Sequence, residues 1–569
     1  MNGIMLTKKS FLIILITLGF IVSSCEMDFL QPFDDNHSSA ERLYYDSGFA
    51  EGLLIRAYRD LPNGYSFDEA STDDAVTNVE GNNYRRMGTG EWSSRYDPMS
   101  IWNLAYTNIY YLNYFLEINP SAQYAWDEAN GPVKERNEAF RKRFEAEALL
   151  LRAWYNFELL KRHGGIAEDG NPTGFVLLEN KVDINVDYNL PRNSYEECVQ
   201  AIYSDIEKAL LNLPDEYSDS EDIVQQIVFG SQNKNRVNGK FGKALKSRVS
   251  LHVASQPFYT GNEYWEKAAV YAGALLSEIG GVSGMSPTGV EFWKNENDSE
   301  ILWRRDYSEI NSREVANFPP TLFGQGQTNP SQNLVDAFPM VNGYPINAEE
   351  SGYDANQPYA GRDPRLKRYI IYNGNDFDGR VININDETDD WNNQTVYSTR
   401  TGYYLKKLLQ PSVNINPNVM STARHFYPFF RYTEIFLNYA EAANEAWGPT
   451  ADPNGYGFTP AEIISALRER AGITQPDEFI IESSTSKELM RALIQNERRI
   501  ELCFEGFRFW DIRRWGMDLN ETVNGVLLTN ETYNVVEVEK RNYKSHMNFG
   551  PISQLEILKA DKLIQNKGW

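Results

Sequence analysis

The sequence predicts a mainly α-helical protein: a tetratricopeptide-like scaffold of helical hairpins, with a large irregular, loop-rich region that carries a few short strands. Three observations predict it. Apolar residues recur at alternating spacings of four and three through two stretches, mainly residues 100–280 and 430–515. Between them, the region from Gly280 to Tyr427 loses that period and is rich in Gly, Pro, Asn and aromatic rings. Near the C-terminus, Glu497 to Trp515 (ERRIELCFEGFRFWDIRRW) mixes arginines, carboxylates and large rings. Such a mixture is costly to bury unless every charge is paired and every ring packed, so helices are expected to meet tightly there.

Taken in order, the chain opens on a targeting segment. Lys8 and Lys9 precede an apolar run, Phe11 to Val22, that is too short to span a bilayer as a helix and suits a secretory signal peptide. Val22-Ser23-Ser24-Cys25 follows and resembles a lipobox, at which bacteria lipidate the cysteine thiol and cleave before it. Residues 1–24 are therefore expected to be a lipoprotein signal peptide and 25–569 a single domain. Acyl chains on Cys25 would anchor it to a membrane, each buried methylene contributing about 0.8 kcal/mol.

The helical elements come next. Ala146, Leu150, Ala153, Phe157 and Leu160 line one face, and Gly164-Gly165 stops that helix. Val199, Ile202, Ile206, Ala209 and Leu213 line a second, with Ser194 and Glu197 as a capping box and Pro214 as the stop. Ala268, Ala272, Leu275 and Ile279 mark a helix paired with Lys240 to Ala254. Tyr432, Ile435, Tyr439, Ala442 and Ala446 give another, and Ile463, Leu467 and Ala471 one more. Neighbouring pairs with small residues at their contacts are the pattern of stacked hairpins. In the irregular region, from 281 to 427, Glu300 to Trp303 and Arg368 to Tyr372 read as short strands. Long irregular segments on a helical scaffold usually carry function, so this region is expected to hold much of the binding surface.

Composition excludes several classes. The formal charge of −24 opposes nucleic acid, whose phosphates need a basic footprint, and opposes loose binding to anionic lipid. Beyond Cys25 only Cys198 and Cys503 remain, both in helical patterns, so a disulfide framework is ruled out and both read as small buried hydrophobes. The five histidines are scattered, and no H-E-x-x-H, G-x-S-x-G or P-loop is present. Composition leaves a glycosidase pair of carboxylates open among the 79 acidic residues, while no cofactor or metal is expected. The oxygen-rich run Asn383 to Gln394 lacks an EF-hand pattern and reads as a solvated loop.

Motifs spread over most of the chain resemble the SusD/RagB family of outer-membrane nutrient-binding lipoproteins. They include FEAEALLLRAWYNFELLKRHGG (Phe144 to Gly165), PRNSYEECVQAIYSDIEKALLNLP (Pro191 to Pro214), PSQNLVDAFPMVNG (Pro330 to Gly343), GRDPRL (Gly361 to Leu366), TGYYLKK (Thr401 to Lys407), RYTEIFLNYAEAANE (Arg431 to Glu445) and the Glu497 to Trp515 block. His163 stands where the family has an aromatic. Most of these motifs read as fold-maintaining: Arg498, Glu501, Glu505, Arg508 and Asp511 are spaced to pair along and between helices, and Trp510 and Trp515 to fill gaps. Asp363-Pro364-Arg365 reads as a turn and ion pair.

The resemblance implies a non-catalytic, surface-exposed glycan-binding lipoprotein of the cell outer membrane. It would sit as a lid on a SusC-like TonB-dependent transporter and pass oligosaccharide to it. Peptide cargo is the alternative, and a purely structural partner of the transporter a third reading. It also implies an aromatic arc built from two regions. One is the loop Asp73 to Pro98, with candidates Asp73, Asp74, Tyr84, Arg85, Trp92, Arg95 and Tyr96, of which Trp92 reads either as a stacking ring or as an anchor of its loop. The other is Gly281 to Gln327, with Trp293, Tyr307, Phe318 and Phe323. Rings would stack on the C–H face of a sugar while carboxylates, amides and guanidiniums take its hydroxyls. Trp102 and Trp303 are expected in the core.

Overall fold

The computed structural model describes residues 43–182, 185 and 188–569. The expected signal peptide and Cys25 lie outside the described residues. The described chain is mainly α-helical. Helices α1 (Ser47–Arg59), α2 (Trp102–Ile118), α3 (Val133–His163), α4 (Tyr195–Leu210), α5 (Gly239–Ala254) and α6 (Asn262–Ser277) form the first series. The later series is α7 (Tyr432–Trp447), α8 (Pro460–Ala471), α9 (Lys487–Glu501) and α10 (Arg508–Arg514). Each helix of the first series packs on the next, and α6 packs on α7, which joins the two series across the irregular region. α1 is part of this stack although the sequence pattern did not single it out.

Local chemistry explains the boundaries. Ser194 and Glu197 form the expected capping box on α4, and Thr459 and Glu462 repeat it on α8. Gly164 ends α3. α4 ends before Pro214, with Leu211 as its C-cap. One apolar core runs through the stack, from Leu54, Ile109 and Leu150 to Ile435 and Ile494. Trp102 and Trp303 are buried in it, as expected, and Cys198 and Cys503 are buried free thiols.

The irregular region has a core of its own, built from Trp293, Phe318, Phe338, Tyr369 and Tyr404. Its strands are short and pair only in twos. β1 (Ala75–Thr77) pairs antiparallel with β4 (Thr328–Pro330), and β2 (Ile301–Arg304) with β6 (Pro428–Arg431). β3 (Ser308–Ile310) pairs with β5 (Ala423–His425). Arg368 and Tyr369 are not strand: they end a short helix, Pro364–Tyr369, whose N-cap is Asp363, and only Ile370–Ile371 is extended. A long hairpin, β7 (Thr522–Thr529) and β8 (Thr532–Lys540), was not anticipated. Asn530 and Glu531 turn it, both at positive φ, as a tight hairpin turn requires.

The Glu497 to Trp515 block is the keystone between the halves. Arg365 pairs with Asp363, Glu497 and Glu501, and Arg468 with Asp477 and Glu497. Arg470 joins Glu300 to Glu501, and Arg431 joins Glu300 to Glu505. Arg498 and Arg514 both hold Asp511. Trp515 donates its indole N–H to Glu441 at 2.8 Å, and the ring of Trp510 lies under Lys161 and Arg162. Removing any one member would strand buried charge, which is why the motif is so dense.

Candidate ligand-binding face

The β1–β4 pairing decides what meets at the surface. Its register, Thr77 opposite Thr328 and Ala75 opposite Pro330, sets the segment leaving β1 beside the segment entering β4. Asn78 fixes them: its Nδ2 donates to the Gln325 carbonyl at 2.9 Å and to the Ser398 carbonyl at 3.3 Å. A third segment, residues 389–400, is thereby drawn in. The Arg400 amide donates to Asn329 Oδ1 at 3.1 Å, and the Thr321 amide to Asp390 Oδ1 at 2.9 Å. Asp390 thus turns inward from the oxygen-rich run. Gly326 sits at φ +50° with no room for a Cβ, which would strike the Tyr397 carbonyl and the Tyr404 ring.

Two rings stand out from these joined loops. Phe323 is 55% exposed and Tyr397 is 49% exposed, and Val79 and Val396 of the same segments are exposed as well. Phe323 is held at φ 69°, the left-handed region, which costs a residue with a Cβ about 1–2 kcal/mol. The turn that holds it is over-determined: the Phe323 amide donates to the Pro320 carbonyl at 2.8 Å, and the amides of Gly324, Gln325 and Gly326 all find carbonyls nearby. A bulky ring forced outward at a conformational cost marks a site of function more often than one of packing. Beside it lies a hollow of about 120 Å³ lined by Phe323, Asp378, Arg380 and Asn414. Asp378 and Arg380 are exposed and make no ion pair among the described residues. A ring face beside a free carboxylate and guanidinium is what a sugar needs.

The structure assigns most of the expected site residues elsewhere. Trp92 is only 4% exposed. Its indole N–H donates to Asp97 at 2.9 Å, and its ring packs edge-on against Phe509, Tyr543 and Trp569 beneath the Arg513 guanidinium. Trp92 therefore anchors the loop and presents no stacking face. Asp73 and Asp74 are buried: Asp73 accepts from Arg508 and Arg499, and Asp74 from Arg499. Burial raises the Asp73 carboxyl, but Arg499 and Arg508 outweigh it and hold the group below the usual carboxylate range. Trp293 is buried and donates to the Leu409 carbonyl at 3.1 Å, and Phe318 is core.

The remaining candidates divide. Tyr84 is half-buried and packs on the Trp92 cluster. Tyr96 donates to Asn83 Oδ1 at 3.0 Å, with Arg86 over its ring. Arg95 is tied to Gln554. Arg85 bonds Glu539 on β8 at 2.7 Å, and Glu539 also takes Arg400 at 2.7 Å, so the unanticipated hairpin braces the third loop. Tyr307 is exposed but lines a separate cleft. Of the expected rings only Phe323 stands on the face. Tyr397 was missed, since nothing in VYSTR distinguishes it by pattern.

Comparison with known proteins agrees with this architecture. Residues 295–569 match the family model described as the SusD family, and residues 50–227 match one described as starch-binding associating with outer membrane. SusD-like protein P38 of Formosa agariphila is 23% identical over 534 residues, covering 88% of this chain and 90% of that protein. A SusD-like protein from Bacteroides fragilis superposes with a TM-score of 0.73 at 24% identity, covering 95% of this chain and all of that one. A SusD-like carbohydrate binding protein from the same species gives a TM-score of 0.69 at 20% identity, covering 92% and 99%. A laminarin binding SusD-like protein gives 0.57 at 19%, covering 92% and 100%. The matched models, the shared fold and the charged block at Glu497 to Trp515 lead to one conclusion: this chain belongs to the SusD/RagB family.

Proposed function

We propose that this protein is a non-catalytic glycan-binding lipoprotein of the outer membrane, anchored through Cys25 and exposed at the cell surface. In this reading it holds oligosaccharide on the three-loop face and delivers it to a TonB-dependent, SusC-like transporter. The observation that carries the reading is Phe323, an exposed ring kept in a costly backbone conformation beside free polar groups. Family membership, the outer-membrane description of one matched model and the carbohydrate-binding relatives support it. Stacking on an open face is a modest interaction, which suits a protein that must release what it captures.

Affinity electrophoresis of residues 26–569 across soluble polysaccharides tests this, with Phe323→Ala and Tyr397→Ala run alongside. Retardation by one glycan, lost in both variants while thermal unfolding is unchanged, is expected. Retardation equal in wild type and both variants, or displacement of bound glycan by a peptide mixture, would overturn the assignment of the face to sugar.

A further inference from the structure

A second cleft, of about 680 Å³, lies apart from the three-loop face, between the C-terminal end of α1, the segment 232–236 and the β2–β3 turn. Two of its lining residues are arginines without a carboxylate partner among the described residues. Arg305 donates only Nη1, to the Tyr58 carbonyl at 2.6 Å, and Arg313 only Nη1, to the Leu408 carbonyl at 3.0 Å. Two guanidiniums with free N–H groups therefore line one cleft. Burial lowers both pKa values, a sign that the protein bears the cost of desolvating them.

Other charges facing the cleft are accounted for. Arg236 is neutralised by Glu51 and Glu147. His425 sits 3.1 Å from Glu314, which also accepts the Gln410 amide. Asp306 is the one carboxylate in the lining; it is exposed and lies 3.9 Å from Arg304. The rim adds Asn63 and Asn235, exposed amides with no side-chain hydrogen bond among the described residues, and the Tyr307 ring, 38% exposed with the Arg424 guanidinium stacked on it.

We infer that this cleft is a second binding site, which takes the oxyanion of an acidic saccharide, a carboxylate or a sulfate ester, on Arg305 and Arg313. Guanidinium forks match the geometry of both oxyanions, and the rim amides and tyrosine suit the hydroxyls and C–H face of the attached ring. In a chain of charge −24 such a cleft concentrates anions against the overall field. The oxyanion half of the assignment rests on the cleft alone; the saccharide half rests on the proposed function.

Calorimetric titration of residues 26–569 with trigalacturonate, a sulfated galactan tetrasaccharide and neutral cellotriose tests it. At least one acidic ligand should bind. Its affinity should fall about tenfold or more in Arg305→Gln, since a hydrogen bond to a charged group is lost. Asn235→Asp, an isosteric change at an exposed rim position, should weaken it as well by repulsion without touching the packing. Phe323→Ala should leave it unchanged. The carboxylated and sulfated arms identify which oxyanion is read. Failure of both acidic ligands to bind, or binding indifferent to both Arg305→Gln and Asn235→Asp, would overturn the inference. Loss of neutral-glycan binding in Phe323→Ala is read separately, so failure of the three-loop face is distinguished from failure of the cleft.

Discussion

Glu501→Gln should be among the most damaging single substitutions in this chain. The carboxylate is 1% exposed and lies 2.8 Å from Arg470, 3.1 Å from Arg365 and 3.7 Å from Arg431. Glutamine keeps the shape but removes the charge and aims an amide at guanidiniums that cannot accept. Breaking one partner of a buried network costs about 3–5 kcal/mol. The pKa gives an independent magnitude. Burial raises the Glu501 carboxyl, but Arg470, Arg365 and Arg431 outweigh it and bring it down to about 2 from an ordinary 4.5. A carboxylate lowered this far contributes about 3 kcal/mol that is fully present above the unfolded value and lost as pH falls from about 4.5 towards 2. The two routes agree. Urea unfolding at pH 7 should show a lower midpoint with an unchanged slope, and the variant should lose less stability than wild type on acidification across that window. Glu138→Gln, which breaks an exposed pair with Lys142, serves as the control and should change nothing measurable. A loss below about 1 kcal/mol, typical of a surface pair, would refute the view that this block holds the halves together.

Other predictions follow from the same geometry. Trp92→Ala should cost about 3–5 kcal/mol by leaving a cavity among Phe509, Tyr543 and Trp569, read as a fall in melting temperature. Phe323→Gly should not lower the melting temperature, because glycine tolerates φ 69° freely, yet it should abolish glycan retardation. Asn78→Ala should cost about 1–2 kcal/mol and weaken glycan binding, since it frees the carbonyls of Gln325 and Ser398 and unties the loops. Gly326→Ala should disrupt the face more severely, as its Cβ has nowhere to go; proteolysis within residues 389–400 would report it.

The helical scaffold was legible because burial of one helix face writes a repeat of three and four into local sequence. Capping residues marked ends for the same local reason. The charged block was legible as a demand for pairing, although its partners Arg365, Arg431 and Asp73 are remote in sequence. Trp92 shows where such reading stops. A tryptophan in a Gly- and Asn-rich loop reads equally as a stacking ring or a loop anchor, and only Phe509, Tyr543 and Trp569, which return from the far end of the chain to cover it, decide for the anchor. Asp73 and Asp74 misled in the same way, because Arg499 and Arg508 lie more than 400 positions on. Phe323 could be named from its loop, but its backbone strain could not, since Pro319 and Pro320 impose it through the carbonyls they supply. The hairpin β7–β8 escaped notice because its exposed strand alternates weakly and its inner strand packs against loops.

The most direct test of the account is calorimetric titration of the retarding glycan into wild type, Phe323→Ala with Tyr397→Ala combined, and Trp92→Ala. The double variant should keep its melting temperature and lose binding, whereas Trp92→Ala should lose stability and, at a temperature where it remains folded, still bind. Full binding by the double variant, or loss of binding in folded Trp92→Ala alone, would place the sugar elsewhere and contradict it.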